Sequence, residues 1–443
     1  MKEVNAPIEE PVPFTNSGRT EINEKWWTFF EDPILNNLID TALTKNLEIA
    51  GSWEQFKASI ASVKQQRSFL FPDIQAEIRS GISRPQPDFA GGENTQIGVS
   101  AAYEIDLWGR IRSGIEAEEF RAQATYFDYQ AAAMTISAET AINWYRLVSA
   151  RKELQLIEEQ IETNKNILKL IRARYTSGQI RAVDILRQEQ LLESTINQKL
   201  SFETDVALIQ NQLAVLLGTP PQNLAKIPVG NFPELPPLPE TGLPLELTRR
   251  RPDLKRAYST VLAADRDMAV AIRSKYPRIA LDLSAQARSN DFNSLFQDWA
   301  YTLAGNIIAP LIYGGRLNAE VDRTEAIKNQ RLYEYGQTVL IAFREVEDAL
   351  IQELKQKERI TVLEKQIDLA AKTNKQLKLS FLNGLTDYLD VLLSLGQEQQ
   401  LQRDYINAQQ ELLEIRVRLY RALAGSFETA KNAEVEDIEY LED

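Results

Sequence analysis

The sequence predicts a mixed fold of transmembrane β-strands and long α-helical hairpins, built as a two-fold internal repeat and completed by self-assembly. A series of motifs recurs about 206 residues apart: Phe71-Pro72 as Tyr276-Pro277, Trp108-Gly109-Arg110 as Tyr313-Gly314-Gly315-Arg316, and Tyr175-Thr176-Ser177-Gly178 as Phe381-Leu382-Asn383-Gly384. Val183-Asp184-Ile185-Leu186 likewise returns as Leu389-Asp390-Val391-Leu392. Such a period defines a structural unit. Each copy also carries two strand-like segments of strict alternation, then roughly 65 residues without proline. Four strands and four long helices enclose no core of their own, so copies of the chain must complete it.

Composition narrows the chemistry. The 443 residues include no cysteine and no histidine. That removes thiolate redox work, Cys-His and Ser-His-Asp nucleophiles and the usual zinc ligand sets. No Gly-rich phosphate loop is present, so no cofactor and no metal are expected. A net charge of −13 opposes nucleic acid as a partner. An enzyme working on carboxylates alone, as glycosidases do, is left as one alternative, but the paired acids lie on helix surfaces without a pocket. Absence of cysteine suits the periplasm or cell exterior. Met1-Lys2-Glu3 opens the chain without an apolar leader, and no run of about 20 apolar residues exists to span a membrane as a helix. A soluble protein and a chain that meets the membrane by strands both fit.

Residues 1–34 read as an extended, proline-rich N-terminal segment. The first repeat, 35–218, begins with a helix from Leu35 to Phe69. Strands follow at about 71–84 and 95–108. Ile74, Ala76 and Ile78 share one face of the first; Ile97, Val99, Ala101, Tyr103, Ile105 and Leu107 share one face of the second. In the second repeat, 243–425, a helix from Leu243 to Ser274 precedes strands at about 276–289 and 298–312. Ile279, Leu281, Leu283, Ala285 and Ala287 line one face; Trp299, Tyr301, Leu303, Gly305, Ile307 and Leu311 line the other strand's. An ordinary antiparallel sheet over a core gives the same alternation. Lengths of 10–13 residues match a tilted membrane strand better. Phe69, Phe71, Tyr103, Trp108, Tyr276, Trp299, Tyr301 and Tyr313 gather near strand ends, as an interfacial girdle does. Residues 85–93 and 290–298 read as polar hairpin loops.

Helices then run from Ile111 to Thr176 and from Leu317 to Leu382, each roughly 100 Å long at 1.5 Å per residue. Leu154, Ile157, Ile161, Asn164, Leu168, Ile171 and Tyr175 form a seam of spacing three and four, and so do Ile360, Leu363, Ile367, Ala370, Asn374, Leu377 and Phe381. Such seams alone also suit a soluble coiled-coil scaffold. Asn164 and Asn374 read as register-setting polar positions, and Arg151-Lys152-Glu153 as solvated surface. Returning helices of about 35 residues start after tips at about 175–183 and 381–389, and the shorter helices are expected to stack end to end on those of the neighbouring repeat. Residues 219–242 form a proline-rich linker, and 426–443 an acidic tail.

These features resemble the TolC-type outer-membrane efflux factors, and within them the OprM-like lipoprotein branch. The residues that carry the resemblance are Tyr103 to Arg110, Pro310-Leu311-Ile312-Tyr313-Gly314-Gly315-Arg316, Arg249-Arg250-Arg251-Pro252-Asp253-Leu254 and Arg174-Tyr175-Thr176-Ser177-Gly178. The resemblance covers nearly the whole chain. It implies a homotrimer with a 12-stranded β-barrel in outer-membrane lipid, over a periplasmic α-helical barrel. It also implies a passive exit duct for drugs and small toxic compounds. Its implied partners are a periplasmic membrane-fusion adaptor and an inner-membrane pump of RND type; a type I protein-secretion duct is the alternative within the same architecture. The branch's mature chain opens on a lipid-bearing cysteine, a residue type absent here.

The resemblance places a gate on the second hairpin. Asp387 and Asp390 lie three apart near the start of the last helix, with the apolar Leu389 and Leu393 beside them. Three chains would bring these carboxylates around one axis. The tips, with Arg174, Tyr175, Ser177 and Gly178 on one side and Phe381, Asn383 and Gly384 on the other, are the expected adaptor-docking surface. Ile97, Val99, Tyr103, Leu281, Leu283 and Leu303 are the expected lipid-facing residues.

Overall fold

The computed structural model describes residues 12–20, 25–83, 92–228, 230–289, 294–423, 429 and 431. Each repeat contributes two short helices, two strands and one hairpin. The first repeat holds α1 (Pro33–Lys45), α2 (Leu47–Ser68), β1 (Asp73–Ser83), β2 (Gly92–Ile105), α3 (Arg110–Thr176) and α4 (Ala182–Leu216). The second holds α5 (Pro244–Arg250), α6 (Pro252–Arg273), β3 (Arg278–Ser289), β4 (Trp299–Ile308), α7 (Arg316–Leu382) and α8 (Tyr388–Leu423). The helix α3 packs on α2, α4, α6 and α8, while α7 packs on α6 and α8.

The four strands form one antiparallel sheet in chain order, with β1 and β4 as open edges. Its register keeps the apolar sets together. Ile74, Ala101, Leu283 and Leu303 pair in one row, and Ala76, Val99, Ala285 and Tyr301 in the next but one. The rows between are polar: Gln75, Ser100, Ser284 and Thr302, for example. A slip of one residue would mix the faces, so the alternation itself pins the register.

The strands are shorter toward the helices than the alternation implies. Leu107 and Leu311 lie beyond β2 and β4. Asp106 leaves the ladder to accept from the backbone N–H groups of Ile111 and Arg112 at 3.0 Å each, capping α3. Pro310 has no N–H to extend β4. Gly109 then turns the chain at φ 73°, and Gly314 and Gly315 do the same at 57° and 82°. Trp108 donates its indole N–H to the Pro277 carbonyl at 2.7 Å and stacks on Tyr276, which fastens the two repeat junctions together. Of the expected loop 85–93, Gly92 and Glu93 belong to β2 and pair with Ser83 and Ile82. The rest, and residues 290–293 of the other loop, lie outside the described residues.

Each short helix expected as one piece is broken in two. Asn46 leaves the helix and accepts from the N–H groups of Glu48 and Ile49, starting α2 afresh. Its amide nitrogen donates to the Leu216 carbonyl at the end of α4, at 3.0 Å. Arg251 precedes Pro252 and is extended, as the proline ring requires. It reaches the Ala422 carbonyl in the last turn of α8 at 3.1 Å. The short helices therefore meet the returning helices of their own repeat, not of the neighbouring one. Helix ends carry unsatisfied carbonyls, and these two polar side chains supply the donors.

The main core sits at the waist. The segment 1–34 is not simply extended: Trp26–Phe30 forms a 3-10 helix whose Trp26, Trp27 and Phe30 are buried with Trp144, Tyr145 and Tyr420. A run of four aromatics in five residues buries too much apolar area to be left in water. Residues 12–20 do run extended, and Thr20 bridges to Pro239 of the linker. Fully buried Arg416 of α8 forks onto Glu353 of α7 at 2.6 and 2.8 Å and donates to the carbonyls of Pro236 and Pro237. One guanidinium thus pins the linker to the second hairpin.

Candidate functional site

The tip seam of both hairpins is one apolar cluster, containing Ile161, Leu168, Ile171 and Leu192 of the first and Phe381, Tyr388 and Val391 of the second. The seam spacing predicts most of these; Tyr175, assigned to the seam, is 46% exposed instead. Each tip closes by the same hydrogen bonds. Gly178 N–H donates to Tyr175 O and Gln179 N–H to Arg174 O; Gly384 and Leu385 donate equivalently to Phe381 and Ser380. Both glycines sit at positive φ, 71° and 74°, with open space where a Cβ would project. The left-handed backbone, not crowding, demands glycine there.

Ser177, Gly178, Asn383 and Gly384 are exposed at the tips. Arg174 is committed elsewhere. Its guanidinium lies 4.9 Å over the Phe381 ring and donates to the Leu382 carbonyl at 3.2 Å. It joins the two hairpins, a role that seam spacing does not reveal.

The helix α8 begins at Tyr388, so Asp387 occupies the position before it and Asp390 its first turn. The Asp390 N–H donates to the Asp387 carbonyl at 3.3 Å, and the Asp390 carboxylate accepts from the Thr386 hydroxyl at 2.5 Å. Both acids and Leu393 are exposed, Leu389 is half-buried, and within one chain no basic group pairs with either acid among the described residues. Asp184, which the repeat aligns with Asp390, is buried against Arg181 and Arg187. The first hairpin spends its acid on its own cap; the second leaves two uncovered.

A polar seam missed in the sequence lies beside the start of α8. The buried Tyr388 hydroxyl donates to Gln188 at 2.5 Å; burial and the nearby Asp184 charge raise its pKa. Asn164 and Asn374 are buried, as a register role requires. Glu153, expected on a solvated face, is only 7% exposed. Arg151 beside it donates to the carbonyls of Ile227 and Pro228. Charged residues flanking a seam read as surface until the packing of α4 and α8 is known.

Most of the sheet is uncovered on both sides, with Ala287 near the end of β3 buried. Ile78 is 73% exposed and Leu303 76%, and Val99, Leu281 and Leu283 are exposed as well; Ile97 and Tyr103 are half-buried. An apolar face of this size left open belongs against another surface. No helix among the described residues is long and apolar enough to cross a membrane.

Comparison with known proteins agrees. The profile of the outer membrane efflux protein family matches residues 38–219 and 243–425, once on each repeat. The toluene efflux pump outer membrane protein TtgF of Pseudomonas putida is 30% identical over 431 residues, covering 91% of this chain and 85% of that one. The pyoverdine export outer membrane protein OpmQ of Pseudomonas aeruginosa is 26% identical, covering 93% and 90%. The solved outer-membrane channel OprN superposes with a TM-score of 0.87 at 24% identity, covering 96% of this chain and 99% of that one, and shares the fold. The chain belongs to the outer membrane efflux protein family, a family of outer-membrane transport proteins.

Proposed function

We propose that three copies of the chain close one 12-stranded barrel in outer-membrane lipid and a helical tunnel beneath it, forming the exit duct of a tripartite pump. The observation that carries this is the two-faced, uncovered sheet with open edges at β1 and β4. Open edges are excluded from lipid, and three four-stranded sheets leave none. The apolar face then meets lipid and the polar face lines a path. The helices support the same assembly. Leu186, Leu200, Leu208 and Val215 make an exposed stripe along α4, and Leu340, Leu354, Val362 and Leu369 repeat its spacing along α7. Both stripes are exposed among the described residues, and each suits a neighbouring copy.

The tips of α3–α4 and α7–α8 are the docking surface for a periplasmic adaptor, which joins the duct to an inner-membrane RND-type pump. The uncovered Asp387 and Asp390 with Leu389 and Leu393 form the gate. The cargo is small and organic, as the names of TtgF and OpmQ suggest for those proteins. Mass measurement of the detergent-solubilised protein tests the assembly: a trimer is expected, and a monomer overturns it. Val99→Arg, on the apolar face, should cost about 2–4 kcal/mol of barrel stability, whereas Ser100→Arg on the polar face should be mild.

A further inference from the structure

We infer that Glu153 makes the packing of α8 against the first hairpin proton-sensitive, so that acid tightens and alkali loosens the brace behind the gate. The inference rests on the gate reading above. A string of buried hydrogen bonds joins the two hairpins. Tyr388 donates to Gln188 at 2.5 Å, and Gln188 donates to the Asn164 carbonyl at 3.1 Å. Gln399 of α8 donates to the Asn164 side chain at 3.3 Å, and Gln160 of α3 donates to the Gln399 carbonyl at 3.1 Å. Arg403 of α8 closes the string by donating to Gln160 at 2.6 Å. Amides satisfying one another in this way hold two helices in one register.

Glu153 stands at the far end of that string. Two buried glutamates on the long helices show what is unusual about it. Glu353 has Arg416 and Lys357 within 2.8 Å, and these contacts outweigh burial and keep it charged. Glu153 makes no ion pair among the described residues. The groups facing it are Asp205 on α4 and Arg403 and Asn407 on α8. Arg403 is occupied by Gln160 and Gln400, and Asp205 carries a like charge. Burial pushes the Glu153 carboxyl up to about 7; Asp205 adds to this, and the Asn407 hydrogen bond and Arg403 oppose it.

The direction of the effect follows. A carboxyl whose pKa is raised by packing favours the packed state when neutral. That stabilisation is complete below the ordinary carboxylate range and falls away as pH rises toward 7. Above that, a charge sits in the seam. It is relieved by parting α3 from α8 to admit water, or by drawing Arg403 off Gln160. Either move loosens the helix that starts at Tyr388 and carries Asp390 in its first turn. The ceiling on the change, per chain, is on the order of 10²-fold in the ratio of packed to parted α8.

The chain has no cysteine, so spin labels can be placed uniquely. Glu159→Cys on α3 and Gln397→Cys on α8, both exposed, report the helix separation by pulsed electron resonance after dilution with unlabelled chain. The distance distribution is expected to broaden and lengthen between pH 5.5 and 8.5. Glu153→Gln should hold the narrow distribution at both. Asp205→Asn, which removes the like charge, should move the whole transition to lower pH. Distances that ignore pH overturn the inference, and so does a pH response that survives Glu153→Gln. Single-channel recordings on the same variants test the link to the gate: the closed fraction should fall with pH in the native sequence and stay constant in Glu153→Gln. A distance change without that conductance change overturns the link and leaves the channel reading intact. Absence of conductance in every variant, with distances still responding, sinks the channel reading instead.

Discussion

At the residue scale, the buried Arg416 of the second hairpin behaves as an organiser. Arg416 is wholly buried, and it is tolerable there because Glu353 neutralises it and two proline carbonyls take its remaining donors. Linker prolines lack N–H groups, so their carbonyls have few internal partners and accept readily. Replacing Arg416 by Met keeps the volume but leaves the buried Glu353 with Lys357 as its remaining ion-pair partner among the described residues. Lys357 softens the loss, which is expected to be up to about 3 kcal/mol, read as a lowered thermal midpoint. The pH dependence has a definite sign. Burial alone would raise the Glu353 pKa, but Arg416 and Lys357 hold it below the ordinary value. Its contribution is therefore present at neutral pH and lost as pH falls below the ordinary carboxylate range, opposite in direction to Glu153. A native protein whose melting midpoint is unmoved by Arg416→Met would contradict this account.

At the scale of elements, the long helices were readable almost to the residue. Expected from Ile111 and Leu317, they begin at Arg110 and Arg316 and end at Thr176 and Leu382. Glycines at positive φ punctuate both ends, and such signals are local. The strand faces were equally legible, because period-2 alternation needs no partner to be recognised. What was not legible depends on what a segment meets. The break at Asn46 exists to satisfy Leu216, 170 residues away. Arg174 looks like a free tip cation until Phe381 is placed beneath it. Glu153 looks like solvated surface until α4 and α8 enclose it. The tips themselves carry a testable division of labour. Gly178 and Gly384 serve the turn, whereas Ser177 and Asn383 are exposed and their side chains make no hydrogen bond between the hairpins among the described residues. Ser177→Trp or Asn383→Trp should therefore abolish efflux in cells while the assembled protein keeps its mass and melting midpoint. Gly178→Ala, which forces a side chain into left-handed backbone, should lower stability by about 1 kcal/mol. Efflux at native rates in both tryptophan variants would remove the tips from the docking surface.

At the scale of the whole molecule, the chain is an incomplete object. Its sheet is largely exposed on both faces and has two open edges, α4 and α7 carry exposed apolar stripes, and Asp387 and Asp390 have no basic partner among the described residues. In the proposed trimer all three would be repaired by the same operation, a three-fold axis along the helices. That axis would bring six carboxylates, Asp387 and Asp390 from each copy, around the narrow end of the duct. Leu389 and Leu393 would supply apolar contact between neighbours. The competing explanation is that acids at the start of α8 merely favour the positive end of the helix dipole. The two are separable, because a helix-start preference is local and a ring is collective. With Asp387 and Asp390 both changed to Ala, a dipole role costs some tenths of a kcal/mol in stability and leaves conduction alone. A ring role leaves the fold intact but abolishes cation preference and block by multivalent cations, because the concentrated negative potential at the constriction is gone. Planar-bilayer recordings with native and doubly substituted protein distinguish these outcomes. Retained selectivity together with retained block would remove the acids from the gate and leave closure to Leu389, Leu393 and the seam behind them.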